Sequence, residues 1–156
     1  MRTVVFGLSL LLLSTGYARA QVFTTGPCPN FHADRIESNS LFGRQQRVCE
    51  LRRTILPMIN GEINMNPANG SIEIVGEDRQ DIALEARVEA QSSSQADAES
   101  ILRRIKIVTV GTIDGMGPTP ASSFHGTWSI SYSLRVPQHV NARIHSLNGS
   151  ISLYES

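Results

Sequence analysis

Large apolar side chains alternate with small or charged ones along one segment of the sequence, and this period of two constrains the fold more than any other feature. The segment reads WSISYSLRVP, and Pro137 ends it. In an extended strand every second side chain shares a face. One face carries the large residues Trp128, Ile130, Tyr132, Leu134 and Val136. Each such side chain contributes about 1.5–3 kcal/mol when fully buried, so this segment is predicted to be a core strand.

Shorter segments repeat the alternation elsewhere in the chain. They are the pair Ile63 and Met65, the pair Ile72 and Ile74, the run DIALEARVEA, and residues 141–147. In DIALEARVEA the charged residues Glu85, Arg87 and Glu89 fall opposite the apolar ones, which predicts a solvated face with cross-strand ion pairs. The number of such segments predicts a mainly β fold.

Two segments depart from this period. Over residues 94–104 the apolar residues follow helical spacing, and Ser94 with Asp97 suits a helix N-terminus, so one short helix is predicted. The later stretch GTIDGMGPTPASS contains Gly111, Gly115 and Gly117. A glycine-rich loop can cradle phosphate, but neither a Lys-Ser/Thr pair nor a helix start follows it. We therefore expect a turn-rich connection.

The tetrapeptide NGSI occurs twice. Asn69–Gly70 begins the first copy and Asn148–Gly149 begins the second, 79 positions later. Both Asn and Gly tolerate positive φ, so each pair is predicted to be a structural turn. The first turn is expected between the strands that contain Met65 and Ile72.

The N-terminus has the pattern of a secretory signal peptide. Arg2 precedes an almost wholly apolar stretch over 4–13, and Ala18-Arg19-Ala20 forms a cleavage site before Gln21. Ten residues are about half of what a spanning helix needs. We therefore assign residues 1–20 to a signal peptide and expect an exported chain, periplasmic or extracellular, with no membrane span after processing.

Cys28 and Cys49 are the two cysteines of the sequence. In an oxidising compartment such a pair predicts a disulfide, and closing this loop stabilises a fold by about 3 kcal/mol. A thiolate metal site is disfavoured because no C-x-x-C pair is present. Residues 21–50 are therefore predicted to form an irregular arm stapled by the disulfide, and residues 51–156 a β-rich domain.

The charge balance argues against a nucleic-acid partner. The sequence has 14 basic and 14 acidic residues, and two of the basic ones, Arg2 and Arg19, lie in the predicted signal peptide. The processed chain would carry a small negative net charge and no basic block, whereas binding to a phosphate backbone depends on clustered positive charge.

The order CELRRTILP, NGSIEIVGEDRQDIALEARVEA, a short helix, and WSISYSLRVPQHVNARIHSLNGSISL resembles a family of bacterial envelope proteins described as adhesins, a domain of unknown function. The resemblance covers about Cys49 to the C-terminus. Glu77 precedes Asp78-Arg79 where members often carry Trp. The resemblance implies a strand-rich unit leading into a toast-rack-like β-solenoid, with Asn148–Gly149 as its first corner. We therefore expect a truncated solenoid; alternatively, residues 151–154 simply pair back on the existing sheet.

The sequence lacks a convergent catalytic or metal-binding pattern. His139 and His145 have no nearby carboxylate, and His125 lies near serines but in no G-x-S-x-G elbow. Asp114 lies outside any calcium-loop spacing. We expect no enzyme, no cofactor and no metal.

Two functions lead after these exclusions, and a hydrolase that depends on His125 is a third, lesser hypothesis. The leading hypothesis is an exported, non-enzymatic cell-envelope or adhesin-like protein that presents a binding surface. The alternative is a periplasmic ligand-binding or envelope-stress accessory protein, with its ligand near the Trp128 strand and the loop over residues 111–126. The sequence does not identify the binding partner under the first hypothesis or the ligand under the second.

Overall fold

The computed structural model describes residues 21–29, 45–67, 69–119, 126–146 and 148–155. These residues form strands and one helix: β1 Thr24–Pro27, β2 Gln46–Pro57, β3 Glu62–Asn66, β4 Ile72–Glu77, β5 Asp81–Ser92, α1 Gln95–Arg104, β6 Lys106–Val108, β7 Ile113–Met116, β8 Gly126–Pro137, β9 Asn141–Ile144 and β10 Ile151–Glu155. The prediction of a mainly β chain with one short helix is confirmed. The predicted signal peptide, 1–20, lies outside the described residues.

The strands form two sheets that mix antiparallel and parallel pairs. The six-stranded sheet has the order β1-β2-β5-β8-β4-β10, and the four-stranded sheet has the order β6-β7-β3-β9. The pairs β1–β2, β2–β5, β5–β8 and β6–β7 are antiparallel. Strand β4 runs parallel to β8 and β10, and β3 runs parallel to β7 and β9. Each sheet is therefore antiparallel at one end and parallel at the other.

The core is formed by the facing sides of the two sheets, and helix α1 contributes to it. Strand β8 fulfils its prediction: Ile130, Tyr132, Leu134 and Val136 are at most 2% exposed, and Trp128 is half-buried. The alternate residues of β5 from Ile82 to Ala90 are buried as predicted. On α1 the buried residues are Ala98 and Ile101, and Ser94 caps the N-terminus by accepting a hydrogen bond from the Asp97 amide at 3.1 Å.

Four elements differ from the prediction. The supposedly irregular arm contains β1, and β2 crosses the expected boundary at residue 50. Strand β2 was missed because it buries Leu51 on one face and Leu56 on the other, which breaks the period of two. Strand β7 lies within the supposed glycine loop, and β9 ends at Ile144 rather than extending to 147, a residue outside the described set.

The two Asn-Gly pairs form corners between sheets. Asn69–Gly70 connects β3 to β4, and these strands belong to different sheets. Gly70 has φ 132° and Gly149 has φ 133°. Each turn therefore uses the conformational freedom of its glycine.

No helix in the described ranges is both long enough and apolar enough to cross a membrane.

Candidate functional site

The face of the six-stranded sheet that points away from the core, here called the outer face, carries a line of four apolar or aromatic residues and one arginine across the strands. Strand pairing places Ile55, Ala83, Arg135, Val75 and Tyr154 side by side, and we call this line the outer row. Ile55 is 57% exposed and Tyr154 is 55% exposed. The outer row thus presents apolar and aromatic surface at both ends, with one arginine at its centre.

Charged side chains next to the outer row are paired with one another. Arg53 donates to Glu85 at 2.6 Å across β2 and β5, and Arg135 donates to Glu77 at 2.6 Å. Further along the outer face, Glu89 forms ion pairs with Arg47 at 2.8 Å and Arg87 at 2.6 Å. The predicted cross-strand ion pairing on β5 is confirmed. Because each of these arginines has a carboxylate partner, the outer face has little unbalanced charge.

A groove of about 400 Å³ opens on the outer face around one end of the outer row. Ala83 presents only a methyl group between the longer side chains of Ile55 and Arg135, which leaves the space. The lining residues are Val22, Thr24, Arg53, Thr54, Ile55, Ala83, Leu84, Glu85, Ser133 and Arg135. Apolar and charged groups therefore converge there in a volume that suits a small ligand or one side chain of a partner.

The described residues around Trp128, where the alternative hypothesis placed a ligand, are more tightly packed; residues 120–125 of that expected site lie outside the described residues. The Trp128 Nε1 atom donates to the Pro118 carbonyl at 2.9 Å. A Cβ atom on Gly117 would overlap the Trp128 ring. The hollow beside Trp128 on the outer face has a volume of only about 130 Å³, below the roughly 300 Å³ at which small-molecule sites begin.

The glycines of the 111–117 segment allow close packing. A Cβ atom on Gly115 would meet the Ile130 Cδ1 atom at 2.5 Å and the Tyr132 hydroxyl at 2.7 Å, so any other residue there would have to displace these two buried side chains of β8. The adjacent Asp114 pairs in register with Asn66 and Val108. Burial, and secondarily the charge of Asp114, raises the pKa of the Tyr132 phenol above its ordinary range.

The remaining predicted site residues lie apart from this groove. Cys28 and Cys49 form the predicted disulfide, which joins the segment after β1 to β2. His139 precedes β9 in the sequence and His145 follows it, and both side chains are exposed. His125 is outside the described residues. Within the described ranges no group of three or more His, Cys, Asp or Glu side chains could hold a metal ion.

Sequence reasoning did not identify the outer row. Its members come from five strands, and only the sheet order brings them together. Ile55 lies on β2, which the period of two did not predict. The available signal was the pair of apolar residues, Ile55 and Leu56, at adjacent positions, which indicates a strand with apolar groups on both faces.

Comparison of this chain with protein-family models, with curated protein sequences and with solved structures gives no match.

Proposed function

We propose that this chain is an exported, non-enzymatic cell-envelope protein of the adhesin-like kind, in which the beginning of a β-solenoid presents the outer face as a binding surface. The observation that carries the proposal is the outer row. Its ends are exposed apolar residues, its centre is Arg135, and its charged neighbours are already paired. Tyr and Arg are the residues that most often anchor protein interfaces.

The solenoid part of the proposal is supported by three chain segments that run the same way. Each passes from the four-stranded sheet to the six-stranded sheet, and we call these segments rungs: β7–β8, β3–β4 and β9–β10. The last two rungs are related by a constant offset of 79 residues, which pairs Ile63 with Ala142 and Ile72 with Ile151. A register that continues around the Asn-Gly corner is what stacked solenoid rungs require.

Export is supported by two independent features. The first 20 residues have the composition of a signal peptide. The disulfide between Cys28 and Cys49 is of the type that persists in oxidising compartments such as the periplasm. Neither feature distinguishes the periplasm from the cell exterior.

The test is binding of the purified chain, begun at Gln21, to whole bacterial cells and to arrayed glycans. We expect binding that falls by about tenfold in Ile55→Asp and in Tyr154→Asp, because each change places a charge in the apolar part of the outer row. The matched control is Val110→Asp. This valine is 86% exposed and lies between β6 and β7, outside the strands that form the outer face. Equal binding by all four proteins would contradict the assignment of the outer row.

A periplasmic ligand-binding protein is the second candidate, and the groove favours it. Arg53, Glu85 and Arg135 surround an apolar floor in a volume of about 400 Å³, which lies within the range of small-molecule sites. A screen of small molecules by thermal shift tests this candidate. Stabilisation by one compound that is lost in Ala83→Leu, which fills the groove, would favour it over the adhesin-like function.

A further inference from the structure

The groove at one end of the outer row has an apolar part that is entirely aliphatic. Val22, Ile55, Ala83 and Leu84 supply it, and none of the lining residues in the described part of the chain is aromatic. An aromatic ligand would find no ring to stack on, whereas a hydrocarbon chain needs only apolar area to cover. The groove therefore suits an aliphatic group.

The charged lining residues of the groove do not cancel. They are Arg53, Glu85 and Arg135, two cations and one anion, so the groove has a net charge of +1. Glu77, the carboxylate partner of Arg135, is not among the lining residues. Opposite charges attract more strongly at a partly enclosed surface than in bulk water. A ligand with one negative charge would therefore complement the groove.

Both arginines keep hydrogen-bond donors that the fold does not use. Arg53 binds Glu85 through its Nε atom at 2.6 Å, and Arg135 binds Glu77 through its Nη1 atom at 2.6 Å. The two Nη atoms of Arg53, and the Nε and Nη2 atoms of Arg135, make no hydrogen bond to the described residues. A guanidinium group presents such donors in a planar fork that matches a carboxylate.

The strand register places the arginines on opposite sides of Ala83. Ala83 lies between Ile55 on β2 and Arg135 on β8, and Arg53 lies two residues from Ile55 on the same face of β2. Neighbouring strands are about 4.8 Å apart, so β2 and β8 are separated by about 10 Å. Two long side chains can reach one anion across this gap, and the small Ala83 side chain leaves room for it.

We propose that the groove binds an aliphatic carboxylate. The unused donors of Arg53 and Arg135 hold the carboxylate, and the hydrocarbon part covers Val22, Ile55 and Ala83. A phosphate monoester fits less well, because its charge of about −1.5 to −2 at pH 7 exceeds the charge of the groove. The inference rests on the second candidate of the proposed function, the ligand-binding protein, and names its class of ligand.

The experiment is calorimetric titration of the chain begun at Gln21 with sodium octanoate, and we expect saturable binding. Arg135→Met and Arg53→Met should each weaken binding by about tenfold or more, because each removes charged donors and keeps an apolar stem. The matched control is Arg143→Met. Arg143 lies on β9 in the other sheet and forms a similarly exposed ion pair with Glu62 at 3.0 Å. Its loss should change the affinity by less than about twofold.

Glu85→Gln distinguishes charge recognition from a structural role of the arginines. It removes the negative charge from the lining of the groove and releases the Arg53 Nε atom. We expect octanoate to bind about threefold more tightly to this variant. Ala83→Leu, which fills the groove, should abolish binding. An unchanged or lower affinity in Glu85→Gln, or full binding by Ala83→Leu, would contradict the inference.

Three further probes test the ligand class. Octan-1-ol has the same chain without charge, acetate has the carboxylate without the chain, and octyl phosphate has a different anionic group. Each should bind more weakly than octanoate. Equal binding of octan-1-ol would show a hydrocarbon site, equal binding of acetate an anion site, and tighter binding of octyl phosphate a phosphate site. Any of these results, or the absence of saturable octanoate binding, would overturn the inference.

The inference and the proposed function can fail separately. If octanoate does not bind while another compound stabilises the chain and loses its effect in Ala83→Leu, only the ligand class is wrong. If no compound binds the groove, the ligand-binding candidate falls as well. Tyr154 is not among the lining residues of the groove, so Tyr154→Asp should keep octanoate binding whatever its effect on cell or glycan binding. Circular dichroism of each variant confirms that it is folded.

Discussion

Tyr132 has the bulkiest of the fully buried side chains in the described chain, and its hydroxyl group has no hydrogen-bond partner there. The ring fills the space between β8 and β7, where Gly115 leaves room for it. A buried hydroxyl without a partner costs about 1–3 kcal/mol in lost hydration. The residue therefore stabilises the fold through its ring and weakens it through its oxygen.

This residue should make the stability of the protein depend on alkaline pH. The folded state raises the pKa of the Tyr132 phenol, so it holds the proton more tightly than the unfolded chain, whose pKa is about 10. The free energy of unfolding should therefore be constant from this source below about pH 10 and fall as the pH rises above it. Urea denaturation at a series of pH values measures the effect.

Tyr132→Phe is the control for that prediction. It should be as stable as the unchanged protein at pH 7, or more stable by about 1 kcal/mol, because it removes the unpaired hydroxyl and keeps the ring. Its stability should decline less above pH 10. A parallel alkaline decline in both proteins would show that other groups are responsible.

At the scale of single elements, helix α1 depends on a residue from a distant strand. Arg52 on β2 donates to the Ile105 carbonyl at 2.6 Å and to the Leu102 carbonyl at 3.1 Å, while Glu50 accepts from its Nε atom at 2.7 Å. The last carbonyls of a helix lack intrahelical partners and carry partial negative charge. The guanidinium group therefore caps the C-terminus of α1 and joins it to the sheet.

Replacing this arginine should destabilise the fold clearly. Arg52→Met keeps much of the apolar stem but removes the charged donors, and we expect a loss of about 2 kcal/mol in the free energy of unfolding. Arg53→Met is the matched control on the same strand. Its ion pair with Glu85 is 52% and 43% exposed, so that loss should stay below about 1 kcal/mol. Similar losses in urea denaturation would contradict the capping role.

The elements differ in how far their own residues specify them. Strands β5 and β8 bury one face only, so their period of two is clean and both were predicted. Strand β2 buries Leu51 and Leu56 on opposite faces. Strand β7 is short and glycine-containing because it lies against the β8 side chains. In β2 and β7 the residue pattern reflects the segments packed against each strand, so it lacks the simple period of two.

At the scale of the whole molecule, an antiparallel unit leads into a parallel stack. The antiparallel strands β2, β5 and β8, together with α1, occupy one end, and the rungs β3–β4 and β9–β10 follow at the other. A parallel stack repeats only if each corner can lie directly on the corner below. The close approach of Gly149 to Gly70 meets this requirement.

Gly149→Ala should therefore destabilise the last rung. Its Cβ atom would overlap the Gly70 carbonyl oxygen, and the backbone at φ 133° disfavours any side chain. Gly111→Ala is the control, since Gly111 has φ 76° with no atom within 4 Å of the added Cβ. We expect Gly149→Ala to cost about 1–3 kcal/mol more than the control, by urea denaturation with amide exchange in β10. Equal costs would contradict corner stacking.

The sequence by itself determined the strand periodicity of β5 and β8, helix α1 with its Ser94 cap, the disulfide pair and the positions of both Asn-Gly turns. These features depend on side chains that are neighbours along the chain or on residue chemistry alone. The tertiary structure decided which sheet each strand joins, the parallel direction of the rungs and the composition of the outer row. Those depend on contacts between distant segments, such as Ile72 with Ile151 and Ile55 with Ala83, and a local alternation of residues is the same whichever strand lies beside it.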